Sequence, residues 1–306
     1  MASTMEDKKV ENSEVPRIFF WSIPRTCSTV LMKLMSHVDD VQVWLEPYDC
    51  CYQTEYFLNS ASKSQEMETW AQSIAESTKM VKENKSPYSG KMVQNRINVS
   101  YSWVKSELEK EEPGKKFIFI KDQTSGILEH VDDLPENVPC KHVFLIRHPL
   151  RALSGLRTYM LRRMTTEAKE SFNLRLDPMY SAAWECHYKF WKYIKENKDP
   201  NALIIDTDDI LCNPQPVLSK LFETLQIPWK DSYLKWPQGT EIVKQWKGVE
   251  DHFLRGMLNG VFDQAMQSVC LQPSKPLRSL EDMPEDIKEI AVQQLPSYQE
   301  MYALRL

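Results

Sequence analysis

Short apolar runs of four or five residues recur along the chain at Ile18–Trp21, Val41–Leu45, Phe117–Ile120, Val143–Ile146 and Ala202–Ile205. Most are rich in β-branched or aromatic side chains, the pattern of strands buried on both faces. Helical spacing separates them. Leu31, Leu34, Met35 and Val38 fall at i, i+3, i+4 and i+7 after the first run, and Leu218, Leu221, Phe222 and Leu225 repeat that spacing after the fifth. Asn213 and Pro214 stand where an N-cap and a first helical residue belong. Trp184, His187, Tyr188 and Trp191 form an aromatic stripe that reads as helix–sheet packing. Strands alternating with helices predict an α/β fold with a central parallel sheet and helices on both faces.

The pattern weakens in three places. Residues 1–15 are polar and acidic and read as a flexible tail, leaving 16–306 as a single α/β domain. Residues 60–112 read as a polar helical insertion, an acceptor wall or lid, and Glu107–Glu112 within it as a solvated helix end. Residues 228–280 carry Pro228, Pro237, Pro273 and Pro276 and read as irregular chain wrapping the sheet. A last helix is expected over Pro284–Leu304.

Composition narrows the function. The net charge of −5 argues against nucleic acid as a partner. No apolar run approaches the roughly 20 residues of a membrane span, and no signal peptide opens the chain, so no membrane partner is expected. Seven scattered cysteines without metal-ligand spacing fit free thiols in a reducing compartment. A cytoplasmic address follows, and the Asn98-Val99-Ser100 sequon is then a chance match.

Chemistry concentrates after the first strand, in Pro24-Arg25-Thr26-Cys27-Ser28-Thr29. A loop leading from a buried strand into a helix presents unpaired backbone N–H groups and the positive helix end to an anion. Arg25 adds a full charge, and Ser28 and Thr29 can donate further bonds. The plain alternative is that Thr26 or Ser28 caps the helix while Arg25 lies on the surface. The Walker pattern GxxxxGK[ST] is absent, which weighs against an ATPase or GTPase.

Pro24–Thr29 resembles the 5′-phosphosulfate loop of sulfotransferases, with Arg25 in the form seen in the tyrosylprotein and bacterial-type branches and Cys27 at the usual glycine. Three later stretches are similar to the family in the same order. Val143–Ser154 resembles the 3′-phosphate segment, although the serine falls at Ser154 and the usual place is Gly155. Leu203–Trp229 resembles the strand, YEDL-like turn and helix, and Trp246–Phe262 resembles a donor-side loop. The resemblance implies a P-loop NTPase-like sulfotransferase architecture and sulfuryl transfer from 3′-phosphoadenosine 5′-phosphosulfate (PAPS), with PAP as product, to a hydroxyl or amine of a small-molecule acceptor.

On that resemblance Arg25, Thr26, Cys27, Ser28, Thr29, Arg147 and Ser154 would bind the donor, without a metal. Arg25 would also act in catalysis, and Lys121 would stabilise the bridging oxygen. Glu46 directly follows the second strand, at the edge of the sheet where ligands bind in open α/β folds, and is the expected base. The alternative for Glu46 is a carboxylate paired with Arg25 or capping a loop. The histidine of the small-molecule branch is missing from Lys121-Asp122-Gln123. Asp122 and His130 are reserve bases, and His148 is expected to be structural. Met160, Met164, Arg162 and Arg163 are candidates to border an acceptor pocket, with Arg162 and Arg163 reading first as a solvated helix end, and acceptor walls are expected in 48–95, 157–180 and 230–260. The competing functions are a non-catalytic nucleotide-binding or interaction protein on the same scaffold, and a P-loop kinase.

Overall fold

The computed structural model describes residues 15–59, 75–76, 79–80, 83, 99–162, 164–176 and 181–306. The expected tail therefore lies outside the described residues except for Val15, as do most of the 60–112 insertion and Arg163.

Six parallel strands form one sheet in the order β5-β4-β1-β3-β2-β6. They are β1 (Arg17–Ser22), β2 (Val41–Leu45), β3 (Phe117–Gln123), β4 (Cys140–Ile146), β5 (Leu203–Asp206) and β6 (Trp246–Gly248). The first five contain the apolar runs, shifted at the fifth by one residue. β6 falls inside the stretch expected to be irregular. That stretch also holds the helices Glu250–Leu258 and Asp263–Gln267, so the expectation for 228–280 is corrected.

Alternation along β1 divides the core. Ile18 and Phe20 point to the face covered by the helices Ser28–Met35 and Pro214–Leu225. Phe19 and Trp21 point to the face covered by Tyr101–Glu109 and Ala183–Asn197. This is the period of two expected of a strand buried on both sides. The stripe Trp184, His187 and Trp191 is buried in the second face, while the Tyr188 hydroxyl reaches Glu300 at 2.5 Å. A smaller cluster joins the helix Pro149–Arg162 to the C-terminal helix Glu285–Ala303 through Leu153, Leu156 and Ile290.

Two buried cations fasten this frame. Arg17, at the start of β1, donates to the Leu108 and Lys110 carbonyls at 2.6 Å each. Lys33, fully buried on the first helix, donates to the carbonyls of Ala265, Met266 and Ser268 at 2.9–3.1 Å. Burial lowers its pKa, and the three acceptors replace the water it has lost. The clamp fixes the Asp263–Gln267 segment to the helix that opens with the candidate anion loop.

Candidate functional site

The carboxyl ends of β1, β2, β3 and β4 border a cavity of ≈ 610 Å³. It brings together Arg25, Cys27, Ser28, Thr29, Glu46, Lys121, Arg147 and Ser154 from the sequence expectation. Thr26 supports the loop from behind. It is buried, its hydroxyl donates to the Ile23 carbonyl at 2.8 Å, and its own carbonyl accepts from Thr207 Oγ1 at 2.8 Å.

The anion loop is tightly bent. Arg25 and Cys27 both have left-handed backbone, with φ of 70° and 58°. Cys27, not Thr26 or Ser28, occupies the N-cap and makes no side-chain cap bond. Its carbonyl accepts from Val30 N and Leu31 N, leaving the first N–H groups of the helix facing the cavity. Left-handed backbone at this position is what glycine supplies without strain in the related motif. Burial raises the pKa of the Cys27 thiol, so the side chain there is neutral.

Arg25 stacks 5.7 Å from the Tyr159 ring and reaches Gln264 Oε1 at 3.4 Å. Its Nε is buried and has no hydrogen-bond partner. Burial lowers its pKa, and Arg147 and Arg162 push in the same direction. A crowded, partly orphaned guanidinium at a helix N-terminus fits an incoming anion. Arg147 is a junction. It donates to the Arg25 carbonyl at 2.8 Å, to Ser274 Oγ at 3.2 Å and to Asp208 at 3.4 Å. Arg151 shares Asp208 at 3.0 Å.

Ser154 stands on the cavity wall. Its hydroxyl lies 3.3 Å from Met283 Sδ, and no hydrogen bond joins it to Arg147. Beside it Gly155 faces the anion loop, where a Cβ would meet the Arg25 Cβ at 3.4 Å, an ordinary van der Waals contact. Arg162 lines the cavity on the same helix face as Ser154, Thr158 and Tyr159, within the stretch expected as an acceptor wall and not as a solvated helix end.

Opposite the loop stands Glu46, only 6 % exposed. Its φ of 45° turns the chain sharply out of β2 into the helix Pro47–Asn59, and its N–H donates to the Lys121 carbonyl at 2.7 Å. Its carboxylate pairs with Lys121 and accepts from Gln123 Nε2 at 3.2 Å. The other oxygen lies 3.1 Å from His252 Nε2. Arg255 stands 3.2 Å from His252 Nδ1, and since arginine only donates, the proton of the ring is assigned to Nε2, facing Glu46. Burial alone would raise the pKa of Glu46, but Lys121 and His252 outweigh it and hold the group well below the usual carboxylate range. Glu46 is therefore ionised, and its partner is Lys121, not Arg25.

Asp49 lies beside it, equally buried. Burial and the Glu46 charge push its pKa up to about 7. Donor atoms of Glu46, Asp49 and His252 lie within 4.8 Å of one another, but the Lys121 ammonium already supplies the cation at Glu46. The two reserve bases do not reach the cavity lining. Asp122 is buried and caps the helix Pro47–Asn59, accepting from Tyr48 N and Asp49 N at 2.8 and 3.0 Å. His130 stacks on Tyr101 at 3.6 Å. His148 accepts from Leu150 N at 3.3 Å, a structural cap.

His252 and Arg255 were missed by sequence reasoning. They arrive because β6 pairs with β2, Val43 opposite Trp246 and Leu45 opposite Gly248, which delivers the following helix to Glu46. The segment Trp246–Phe262 thus serves the Glu46 end, while Ser274 closes against Arg147. No metal ligand spacing or strand-like run marks it in the sequence.

No family model matches the chain, and no curated protein matches it. Solved structures do resemble it. The sulfotransferase domain from the curacin biosynthetic pathway is 18 % identical, covering 92 % of this chain and 98 % of that one, with a TM-score of 0.45. The sulfotransferase domain of the Synechococcus PCC 7002 olefin synthase is 16 % identical over 99 % and 100 %, with a TM-score of 0.46. Mouse sulfotransferase SULT7A1, complexed with PAP, is 15 % identical over 94 % and 83 %, with a TM-score of 0.41. At such identities and TM-scores the chemistry rests on the site's own residues. Among the described residues, no helix is long and apolar enough to cross a membrane, and all seven cysteines are free thiols.

Proposed function

We propose that the chain transfers a sulfuryl group from PAPS to a hydroxyl or amine of a small acceptor. The observation that carries this reading is the placement of an ionised, buried carboxylate, Glu46, on the same cavity as a helix N-terminus with an arginine, Arg25, whose Nε has no hydrogen-bond partner.

In this reading the 5′-phosphosulfate sits on the first N–H groups of the helix, with Arg25, Ser28 and Thr29 donating to its oxygens. Arg147 and Arg151 hold the 3′-phosphate, with Asp208 and Ser274 fixing their direction. The acceptor oxygen or nitrogen attacks sulfur in line, the bond from sulfur to the bridging phosphate oxygen breaks, and PAP leaves. Glu46 takes the acceptor's proton, and Lys121 meets the charge that develops on the bridging oxygen. His252 orients the carboxylate by donating to its second oxygen. Free thiols suit a reducing, cytosolic compartment.

The non-catalytic alternative draws support from Cys27 in the glycine position and from Ser154 turned to Met283. Calorimetric titration with PAP, against 5′-AMP and without metal, separates the readings. Micromolar PAP with at least about tenfold preference (1.4 kcal/mol) over AMP supports a working donor site, and absence of both overturns it. Glu46→Gln should keep PAP binding and lose turnover; a variant as active as the wild type removes Glu46 from the base role.

A further inference from the structure

Glu46 is well placed to draw a proton from the acceptor and badly placed to keep it. Its carboxylate already serves Lys121 and Gln123 on one oxygen and His252 on the other. Protonating it would leave the buried Lys121 ammonium against a neutral carboxyl, and a buried charge stripped of its partner is costly. The proton needs another resting place on the same cavity.

Asp49, in the first turn of the helix Pro47–Asn59, supplies one. It is buried and lines the cavity. Among the described residues its carboxylate accepts a single bond, from Gln53 Nε2 to Oδ2 at 2.6 Å, and Oδ1 has no partner. The nearby cations are committed elsewhere, Lys121 to Glu46 and Arg255 to Gln53. The charged and titratable groups around Asp49 are Glu46, Lys121 and Asp122 of β3, His252 and Arg255 of the helix Glu250–Leu258, and Tyr101. Asp122 is no rival for the proton. Its oxygens accept from the N–H groups of Tyr48, Asp49 and Gln123 at 2.8–3.0 Å, and it does not line the cavity.

A buried carboxylate with no ion pair gains by taking up a proton, whereas one paired with an ammonium loses. The pKa of about 7 at Asp49, raised first by burial and then by Glu46, agrees with that contrast and suits proton uptake at neutral pH. Donor atoms of the two carboxylates lie within 4.8 Å of one another, a gap that one water spans with hydrogen bonds of about 2.7 Å to each.

We infer that Asp49 is the terminal proton acceptor of the transfer step, relieving Glu46 of the proton that leaves the acceptor. The inference rests on the sulfuryl-transfer reading and adds a second carboxylate to its mechanism. The acceptor's O–H or N–H bond breaks, its electron pair attacks sulfur, and the proton bonds to Glu46. The bond from sulfur to the bridging phosphate oxygen breaks with its electron pair left on PAP. Through one water the proton moves on to Asp49, which becomes a neutral carboxyl, and Glu46 is again the anion that Lys121 and His252 hold. Asp49 returns the proton to solvent before the next turnover.

The test is the pH dependence of kcat/KM from about pH 5 to about pH 9, with radiolabelled PAPS and the full chain. The acceptor is whichever of 2-naphthol, tyramine and myo-inositol is sulfated fastest. Wild-type kcat/KM should fall about tenfold per pH unit below about pH 7 and level off above it, because Asp49 must be ionised to receive the proton. Asp49→Asn, neutral and nearly isosteric, should lose that limb. Above about pH 8 it should run on the order of 10²-fold slower, with PAP affinity by calorimetry unchanged. Gln53→Ala removes the one hydrogen bond that favours the charged form, so its limb should move to higher pH.

A limb near pH 7 that persists in Asp49→Asn, or wild-type rates in that variant, overturns the inference and spares the donor reading. A limb that stays in place in Gln53→Ala also overturns it, since the titrating group is then not Asp49. A wild type that binds no PAP, or that sulfates none of the three probes, overturns transfer to a small acceptor and the inference with it.

Discussion

Asp49 offers the sharpest physical test of the site, because its carboxyl is buried beside a second one. Its ordinary value near 3.8 is pushed to about 7, first by burial and then by the charge of Glu46. A folded-state value above the unfolded one means that the folded chain holds a proton the unfolded chain releases. Stability therefore falls as pH rises from about 4 to about 7, and above that the buried charge exerts its full penalty. A shift of about 3 units at 1.36 kcal/mol each amounts to on the order of 4 kcal/mol. Asp49→Asn is neutral in both states and escapes the penalty, and its side-chain oxygen can still accept from Gln53. The backbone N–H of residue 49 keeps its bond to Asp122. The variant should therefore match the wild type within about 1 kcal/mol near pH 4.5 and exceed it by up to about 4 kcal/mol near pH 8.5. Urea unfolding at the two pH values reads the difference directly. A gap that does not change with pH refutes the claim that Asp49 ionises in place. Removing Glu46's charge should shrink the gap, since that charge is the second cause of the shift.

Three further outcomes follow from the same geometry. Arg25→Ala should lower turnover by on the order of 10²–10⁴-fold, since it removes the one cation set into the anion loop itself, and wild-type rates would sink the donor assignment. Lys33→Met should cost about 1–3 kcal/mol by removing the charged bonds to the carbonyls of Ala265, Met266 and Ser268, which keep their other donors, seen as a lower melting midpoint; an unchanged midpoint would show that the clamp is idle. His142 accepts from Trp21 Nε1 at 2.9 Å, and burial takes its pKa from 6.5 to about 3. Its folded value is the lower one, so its contribution is full above pH 6.5 and lost below it. His142→Asn, which keeps an acceptor for Trp21, should close on the wild type by about 2 kcal/mol between pH 7 and pH 5, and a constant difference in urea unfolding would contradict this.

The five longer strands were legible because each is a short apolar run rich in β-branched or aromatic side chains, with helical spacing after the first and the fifth. Glu46 was legible for the same reason, as the residue that directly follows the second run. β6 was not, because a three-residue edge strand, Trp-Lys-Gly, has no periodicity to display, and its pairing with β2 spans some two hundred residues of sequence. His252 and Arg255 were hidden with it. Arg162 had a signal that was available: Arg151, Ser154, Gly155, Thr158, Tyr159 and Arg162 share one face at helical spacing, and the structure turns that face to the cavity. The contact of Ser154 with Met283 could not be read from the sequence, because it joins residues 129 apart along the chain.

Among the described residues, five that are not glycine have left-handed backbone: Arg25, Cys27, Asp40, Glu46 and Gln226. Three line the cavity, where their side chains are needed, and the strain there is part of how the site is shaped. Asp40 and Gln226 are different. Asp40 lies in an exposed turn before β2, and Gln226 ends the helix Pro214–Leu225 at the position where glycine is commonest. Protein engineering for heat resistance thus has two free positions. Glycine at 40 and 226 would relieve a left-handed backbone that costs other residues roughly 1–2 kcal/mol, without entering the cavity, whereas the same change at 46 would erase the carboxylate proposed as the base.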